Sequence, residues 1–261
     1  MPSNYAHFRF GSELIGQLDA DQRRTIQRFR QLFDMGLHGP DLFFHHDPLI
    51  QTPVRKLGKK YHLQSGQAFF ERVCRSVRMN PSEGAMAYLY GVLAHYALDS
   101  LSHPFINRME QEGKGTHNEI ETEFDRFLLE TDGRKPPYLQ DISAHITLTP
   151  GECETVALFY PPVSSGAIRK CVKNMAANTR FLVMPKGIRR DLVSKAMQLV
   201  TPNTAGLIMT IHPNRKCAGL NSSLMRLYEM AMNRYPVLLD QIQVHMTRNK
   251  PLGPDFSAIF D

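Results

Sequence analysis

The sequence lacks the features that mark membrane-spanning and nucleotide-binding proteins. No segment of its 261 residues approaches the roughly 18 uninterrupted apolar residues of a membrane span, and its first residues have no apolar stretch typical of a signal peptide. We therefore expect a cytoplasmic protein. Glycine-rich phosphate loops and the Gly-x-Ser-x-Gly elbow are also missing, which removes the usual support for nucleotide binding and for serine hydrolysis.

Cysteine is scarce, and its spacing excludes the common cysteine-based sites. The four cysteines are far apart in sequence and show no Cys-x-x-Cys pair. They are therefore predicted to be reduced thiols in the core rather than zinc ligands or a disulfide framework. These residues are Cys74, Cys153, Cys171 and Cys217.

Lysine and arginine are completely absent between positions 78 and 108, around a helix that should be buried. Residues 88–101 are almost entirely apolar apart from His95, Asp99 and one serine, which is typical of a helix that is covered on all sides. An ionised aspartate in such a helix is unfavourable unless a positive charge meets it. Since no basic side chain is near in sequence, a divalent metal shared by Asp99 and His95 would satisfy both residues.

His103 continues the four-residue spacing of His95 and Asp99. It precedes Pro104, and a residue before proline is disfavoured in the α region. We therefore predict that the helix ends at His103, with its imidazole at the edge of the site.

A second helix repeats the same spacing with His117 and Glu121. Thr116 and Glu119 form a capping box that predicts its first turn. One His-x-x-x-Asp pair is more often a local hydrogen bond than a metal site, but two such pairs around a buried helix favour metal binding. Nitrogen and oxygen ligands without cysteine favour zinc, with manganese or iron as alternatives.

Basic residues outnumber acidic ones over the whole chain, which has a net charge of +6 and a pI near 9.2. The charge indicates an anionic partner: a phosphate ester, an anionic lipid surface or nucleic acid. One basic cluster lies just before His62, where a helix running to about Arg78 is predicted to begin. Such a cluster usually faces solvent, and the alternative is that it serves a phosphate-bearing substrate. It consists of Arg55, Lys56, Lys59 and Lys60.

Helical patterns dominate the rest of the chain and predict an all-α fold. Residues 21–35 form an amphipathic pattern, and residues 39–41 predict a tight turn that presents Asp41. Residues 166–184, 188–200 and 222–246 each show one apolar stripe and are predicted to be packing helices. A break after Asp132 suggests a metal-site core at 1–135 and a helical part at 136–261, packed within one domain.

Five segments occur in the order found in zinc-dependent phospholipase C proteins, a family that this sequence resembles. They are residues 5–11, 36–41, 57–62, 91–103 and 116–121, so the resemblance covers about the first 135 residues. It implies the multi-helix bundle that this family shares with the P1-type nucleases, and a cluster of two or three zinc ions.

The resemblance also implies roles for individual residues. Asp41, His62, His95 and Asp99 match the ligands of one zinc, and His103, His117 and Glu121 those of a second. Asp99 would bridge to a third zinc that also binds His7, and Asp41 matches a position argued to act as general base. Secreted members bind the third zinc through an N-terminal tryptophan, whereas this sequence has no tryptophan. A third zinc would therefore need other ligands.

The resulting functional hypothesis is metal-assisted hydrolysis of a phosphodiester, in which a metal-bound hydroxide attacks phosphorus. Phospholipids cleaved on the glycerol side are the substrate class that the resemblance implies. A P1-like nuclease or a small-molecule phosphodiesterase would use the same metals. A different alternative is a scaffold in which metals hold helices together without catalysis, although structural zinc sites usually include cysteine.

Overall fold

Helices form the whole of the regular structure in the computed structural model, which describes residues 4–47, 50–200, 204 and 206–261. No strand occurs in these ranges, and the predicted all-α fold is confirmed. None of the described helices is long and apolar enough to cross a membrane. The helices are α1 (Asn4–Leu14), α2 (Ala20–Arg28), α3 (Arg30–Gly36), α4 (Pro53–His62), α5 (Gly66–Met79), α6 (Glu83–Gln111), α7 (His117–Thr131), α8 (Pro150–Ala157), α9 (Ser165–Leu182), α10 (Ile188–Val200) and α11 (Asn221–Arg248).

Helix α6 runs through the centre of the protein and packs mainly against α3 and α11. Two glycines let α3 and α6 approach closely, because a Cβ on Gly36 would overlap the backbone of α6 and one on Gly91 would overlap the backbone of α3. This contact places the chain after α3 directly beside the middle of α6. Gly39 continues the approach: it has a φ of 46° and lies against the imidazole of His95, where a Cβ would overlap the ring.

The prediction that α6 ends at His103 is wrong, because the helix continues through Pro104 to Gln111. Proline removes only one backbone hydrogen bond of the helix, and Pro104 lies on the exposed side. Ile106 and Met109, beyond the proline, are buried. Burial of these residues therefore outweighs the local preference of the proline to end the helix.

Two other helix predictions need correction. Residues 21–35 form two helices rather than one, because Phe29 leaves the helical conformation (φ −121°, ψ 45°). The apolar pattern does not reveal this break, because Ile26 before it and Phe33 after it are both buried. His62 ends α4 instead of starting the next helix, which begins at Gly66 after the N-cap Ser65. The turn at Asp41 is part of a 3-10 helix, Gly39–His45.

Other local predictions are confirmed. The capping box of Thr116 and Glu119 begins α7, and all four cysteines are buried free thiols. Helices α9 and α11 bury their apolar stripes, as expected of packing helices. Helix α10 does not: in its predicted stripe Leu192 is 61% exposed, Ala196 is exposed and Val193 is only half-buried. The division of the chain at residue 135 stays a prediction.

Candidate metal centre

Asp99 lies at the middle of a buried cluster of imidazoles. Its Oδ1 is 3.1 Å from Nε2 of His7, and its Oδ2 is 3.0 Å from Nε2 of His95. Nε2 of His103 is 4.0 Å from the same Oδ2. All four residues are buried. The three imidazoles reach Asp99 from α1 and from the middle of α6, so one carboxylate connects two helices.

The contact between His95 and Asp99 is close but is not a hydrogen bond. Nδ1 of His95 lies 3.1 Å from the carbonyl oxygen of Leu37, which can only accept, so Nδ1 carries the proton and Nε2 of the neutral ring carries none. Nε2 and Oδ2 of Asp99 are both buried without a hydrogen-bond partner. Two lone pairs therefore face each other at 3.0 Å. A cation bound by both atoms would remove the repulsion between the lone pairs. Buried nitrogen and oxygen atoms that have no hydrogen-bond partner are typical of a set of metal ligands.

His62 and His103 share the contact of His95 between Nδ1 and a backbone carbonyl. Nδ1 of His62 donates to the carbonyl oxygen of Gly58 at 2.8 Å, while its Nε2 lies 2.8 Å from Oδ1 of Asp41. Nδ1 of His103 donates to the carbonyl oxygen of Phe260 at 2.7 Å. In each case a backbone carbonyl holds the Nδ1 proton and directs Nε2 toward a carboxylate. Metal-binding histidines are commonly oriented in this way.

A second group of ligand atoms lies at the start of α7. Oε1 of Glu121 is 3.3 Å from Nε2 of His117 and 3.5 Å from Nε2 of His103. Nδ1 of His117 lies 3.2 Å from the side-chain oxygen of Asn107. His117 is the most exposed of these ligands, with 26% of its side chain accessible, so this edge of the centre is open to solvent.

Within the described residues, two sets of side chains bring potential ligand atoms within 4.8 Å of one another. One set is His7, Asp41, His95 and Asp99, and the other is His103, His117 and Glu121. The second set has the composition expected from the sequence. The first contains His7 where the sequence predicted His62. His62 instead joins the cluster through its contact with Asp41.

Charge in the centre follows from burial and from the neighbouring groups. Burial lowers the pKa of His95 to about 4, so its ring is neutral and able to bind a metal. Burial disfavours ionised Asp99, but the surrounding imidazoles together outweigh burial and lower its pKa to about 2. Burial also disfavours charged His103, yet Asp99 and Glu121 raise its pKa to about 10. The metal-free centre therefore holds ionised carboxylates with a protonated His103.

Comparison with known proteins gives a consistent result. The family model for zinc-dependent phospholipase C matches residues 6–176, which is more than half of the chain. The protein belongs to the zinc-dependent phospholipase C family. No match was found among curated proteins or among solved structures. The match extends beyond the segments recognised from the sequence and includes α8 and most of α9.

The donor atoms of the centre fit the zinc that the family name specifies. Zinc prefers imidazole nitrogen and carboxylate oxygen when cysteine is absent, and both sets offer these atoms. The unpartnered Nε2 of His95 and Oδ2 of Asp99 are buried atoms that a zinc ion would satisfy.

Asp125 supports the centre and was not identified from the sequence. Its carboxylate accepts hydrogen bonds from the backbone N–H groups of Tyr5 (3.1 Å) and Ala6 (2.8 Å), in the first turn of α1. These bonds fix the helix that carries His7. A signal was present in the sequence, because Asp125 follows Glu121 by four residues and therefore shares its face of α7.

Residues 254–261 also support the centre, and no pattern in the sequence indicated this. The backbone N–H of Phe260 donates to the carbonyl oxygen of His62 at 3.2 Å, and its carbonyl accepts from His103. Oδ1 of Asp261 is 3.7 Å from Nδ1 of His103. The buried ring of Phe260 packs beside His95. This segment therefore orients two candidate ligands from a part of the chain far away in sequence.

The basic cluster on α4 borders a cavity of about 450 Å³. Phe44 also lines the cavity, and its ring centroid is 5.1 Å from that of His62, so the cavity adjoins the metal centre. The use of this cluster by a phosphate-bearing substrate stays an alternative to a cluster that only faces solvent. The basic residues lining the cavity are Arg55, Lys56, Lys59 and Lys60.

Proposed function

We propose that this protein is a zinc-dependent phosphodiester hydrolase that cleaves phospholipids on the glycerol side, as the name of its family implies. Family membership supports zinc and a hydrolytic activity. The observation that carries the proposal is the facing pair of unprotonated, unpartnered donor atoms of His95 and Asp99 in the centre of the protein. A purely structural hydrogen bond would place a proton between them.

The proposal assigns two zinc positions. The first uses Asp41, His95 and Asp99, with His7 and His62 completing the surroundings. The second uses the three residues around the open edge: His103, His117 and Glu121.

Zinc ions in these positions would polarise the phosphate oxygens and make a bound water acidic enough to act as a nucleophile near neutral pH. Asp41 is the candidate base. Burial would raise the pKa of Asp41, but the hydrogen bond from His62 outweighs burial and holds the pKa well below its ordinary value. The carboxylate is therefore ionised and oriented by His62, so that it could accept a proton from the attacking water.

The reaction forms one bond and breaks one bond at phosphorus. The water oxygen bonds to phosphorus, the bond from phosphorus to the glycerol oxygen breaks, and that oxygen takes up a proton. The products are a diacylglycerol and a phosphorylated head group. The scaffold alternative would require a closed ligand set, whereas 26% of the His117 side chain is accessible at one edge of the centre.

The proposal is tested by assaying the zinc-loaded protein on three substrates: micellar short-chain phosphatidylcholine, bis(p-nitrophenyl) phosphate and single-stranded DNA. Release of diacylglycerol that requires zinc and is abolished by Asp41→Asn is the expected result. Faster cleavage of DNA than of lipid would assign the centre to a nuclease. A fully loaded protein that hydrolyses none of the three would contradict the proposal and favour a structural metal site.

A further inference from the structure

Helix α10 is turned with its apolar side outward. Ile188, Leu192 and Leu199 are 78%, 61% and 88% exposed. At about 100° per residue these three positions lie within roughly 40° of one another around the helix, so they form one stripe. An amphipathic helix of a globular protein normally directs such a stripe at the core.

Arg190 fixes this orientation. It lies on the opposite side of α10, is buried, and donates to the carbonyl oxygens of Met184 (2.9 Å) and Met209. Its guanidinium also lies over the ring of Tyr138, 5.7 Å from the centroid. Rotating α10 to bury the apolar stripe would break these contacts and expose a satisfied arginine. The outward stripe is therefore held in place by the rest of the protein.

Positive charge surrounds the stripe. Lys186, Arg189 and Lys195 are exposed, and none forms an ion pair with any residue that the structure describes. Lys195 lies on the same face as Leu192 and Leu199, where a long side chain can extend along apolar groups and keep its charge at a polar boundary. Asp191 is the one acidic residue in positions 186–200.

Gly206 and Cys217, which follow α10 in sequence, pack at the open edge of the metal centre. Gly206, with a φ of 86°, packs so closely on Glu119 that a Cβ would overlap the backbone of that residue. Sγ of Cys217 lies 3.4 Å from the carbonyl oxygen of Glu119. Glu119 is in the first turn of α7, two residues from the partly exposed His117. Gly206 and Cys217 thus pack beside the turn that carries the most accessible candidate ligand.

We propose that the apolar stripe of α10, defined by Ile188, Leu192 and Leu199, docks the protein onto an anionic phospholipid surface. An apolar face bordered by cations is the arrangement by which helices lie in a membrane interface. A second copy of this protein would meet the same exposed cations with like charge, so charge complementarity favours the lipid. The inference rests on the proposed function, because a lipid hydrolase must bring an accessible centre to an aggregated substrate.

The test measures sedimentation of zinc-loaded protein with vesicles of phosphatidylcholine, with or without phosphatidylglycerol. The variant Leu192→Ser/Leu199→Ser changes the stripe, and Met230→Ser/Val237→Ser is a matched control that changes two exposed apolar residues of α11. We expect binding that requires the anionic lipid and falls by roughly tenfold or more in the α10 variant only. Hydrolysis of soluble bis(p-nitrophenyl) phosphate should be unchanged in both variants.

Equal vesicle binding by wild type and the α10 variant would overturn the docking proposal. It would also be overturned if the α10 variant converted a dimer into a monomer in analytical ultracentrifugation, since the stripe would then join two copies. Vesicle binding does not require turnover, so it is measured on Asp41→Asn as well. Binding through α10 by a protein that hydrolyses no phosphoester would support docking while the proposed hydrolysis fails. Hydrolysis of soluble esters without any vesicle binding would support the proposed hydrolysis and overturn the docking proposal.

Discussion

Neutralising the central carboxylate by Asp99→Asn tests both the electrostatics of the centre and its proposed use of metal. The substitution keeps the shape of the side chain and removes its charge. In the wild type, Asp99 contacts His7 and His95 at 3.1 and 3.0 Å, and both contacts are buried. The asparagine side chain would present one oxygen and one NH2 group to the two imidazoles, which in the wild type contact two carboxylate oxygens.

The expected magnitude follows from the pKa of Asp99, which is lowered from 3.8 to about 2. At about 1.36 kcal/mol for each pH unit, the carboxylate stabilises the metal-free protein by about 2 kcal/mol at neutral pH. Because the folded-state pKa is depressed, this contribution is complete above about pH 4 and is lost as the pH falls toward 2. Removal of a carboxylate ligand should also weaken zinc binding by more than about 100-fold, which is more than the loss of a residue that only supports a ligand usually causes.

Urea denaturation of the metal-free proteins and zinc competition with a chelating dye measure the two effects. Asp34→Asn is a matched control, since Asp34 is a buried aspartate that pairs with Arg30 and belongs to neither ligand set. The control should retain the zinc affinity of the wild type. Unchanged zinc affinity in Asp99→Asn would refute the placement of the metal, and a stability difference that persists unchanged at acidic pH would refute the electrostatic reasoning.

Three further predictions follow from the supporting residues and the protonation of the centre. Phe260→Ala should lower the unfolding free energy by about 3 kcal/mol and zinc affinity by roughly tenfold, because loss of the buried ring loosens the segment whose backbone carbonyl orients His103. Denaturation and chelator competition measure the two effects, and wild-type zinc affinity would contradict the prediction. Burial raises the pKa of Asp125 to about 8, so its contribution is present at low pH and lost as the pH rises through 8. The metal-free wild type should therefore lose stability as the pH rises from about 5 to about 8, and Asp125→Asn should not. The unfolding free energy of the variant relative to the wild type should rise by about 1 kcal/mol or more over this range, and a difference that does not change with pH would show that Asp125 ionises normally. Zinc binding near neutral pH should release protons, since His103 has a pKa raised to about 10 and must lose its proton to bind metal; calorimetry in buffers of different ionisation enthalpy would show no buffer dependence if this is wrong.

Short-range spacing allowed the sequence to predict a large part of the metal centre. His95 with Asp99, and His117 with Glu121, are each one helical turn apart, so their contacts follow from helix geometry alone. The missing cations around Asp99 indicated that something else must balance its charge. The two pairs come together only through tertiary packing, which spacing along one helix cannot predict. The resemblance to the family predicted that they would lie in one centre.

Two of the failed predictions have the same physical cause, because tertiary contacts outweighed a local preference. Pro104 should end a helix, but burial of the residues after it continues α6. The periodicity of α10 predicted a helix correctly, yet a period does not reveal which face is inward. The buried hydrogen bonds of Arg190 turn the apolar stripe to the outside. Support of His103 by Phe260 joins residues 157 positions apart and leaves no local trace.

Anomalous X-ray diffraction at the zinc edge, from crystals of the zinc-loaded protein, tests the central claim most directly. We predict zinc peaks within both ligand sets, one beside Asp99 and His95 and one between His117 and Glu121, with zinc to nitrogen distances of about 2.0–2.1 Å. Zinc bound only at surface sites, with the lone pairs of His95 and Asp99 still facing each other, would contradict the account.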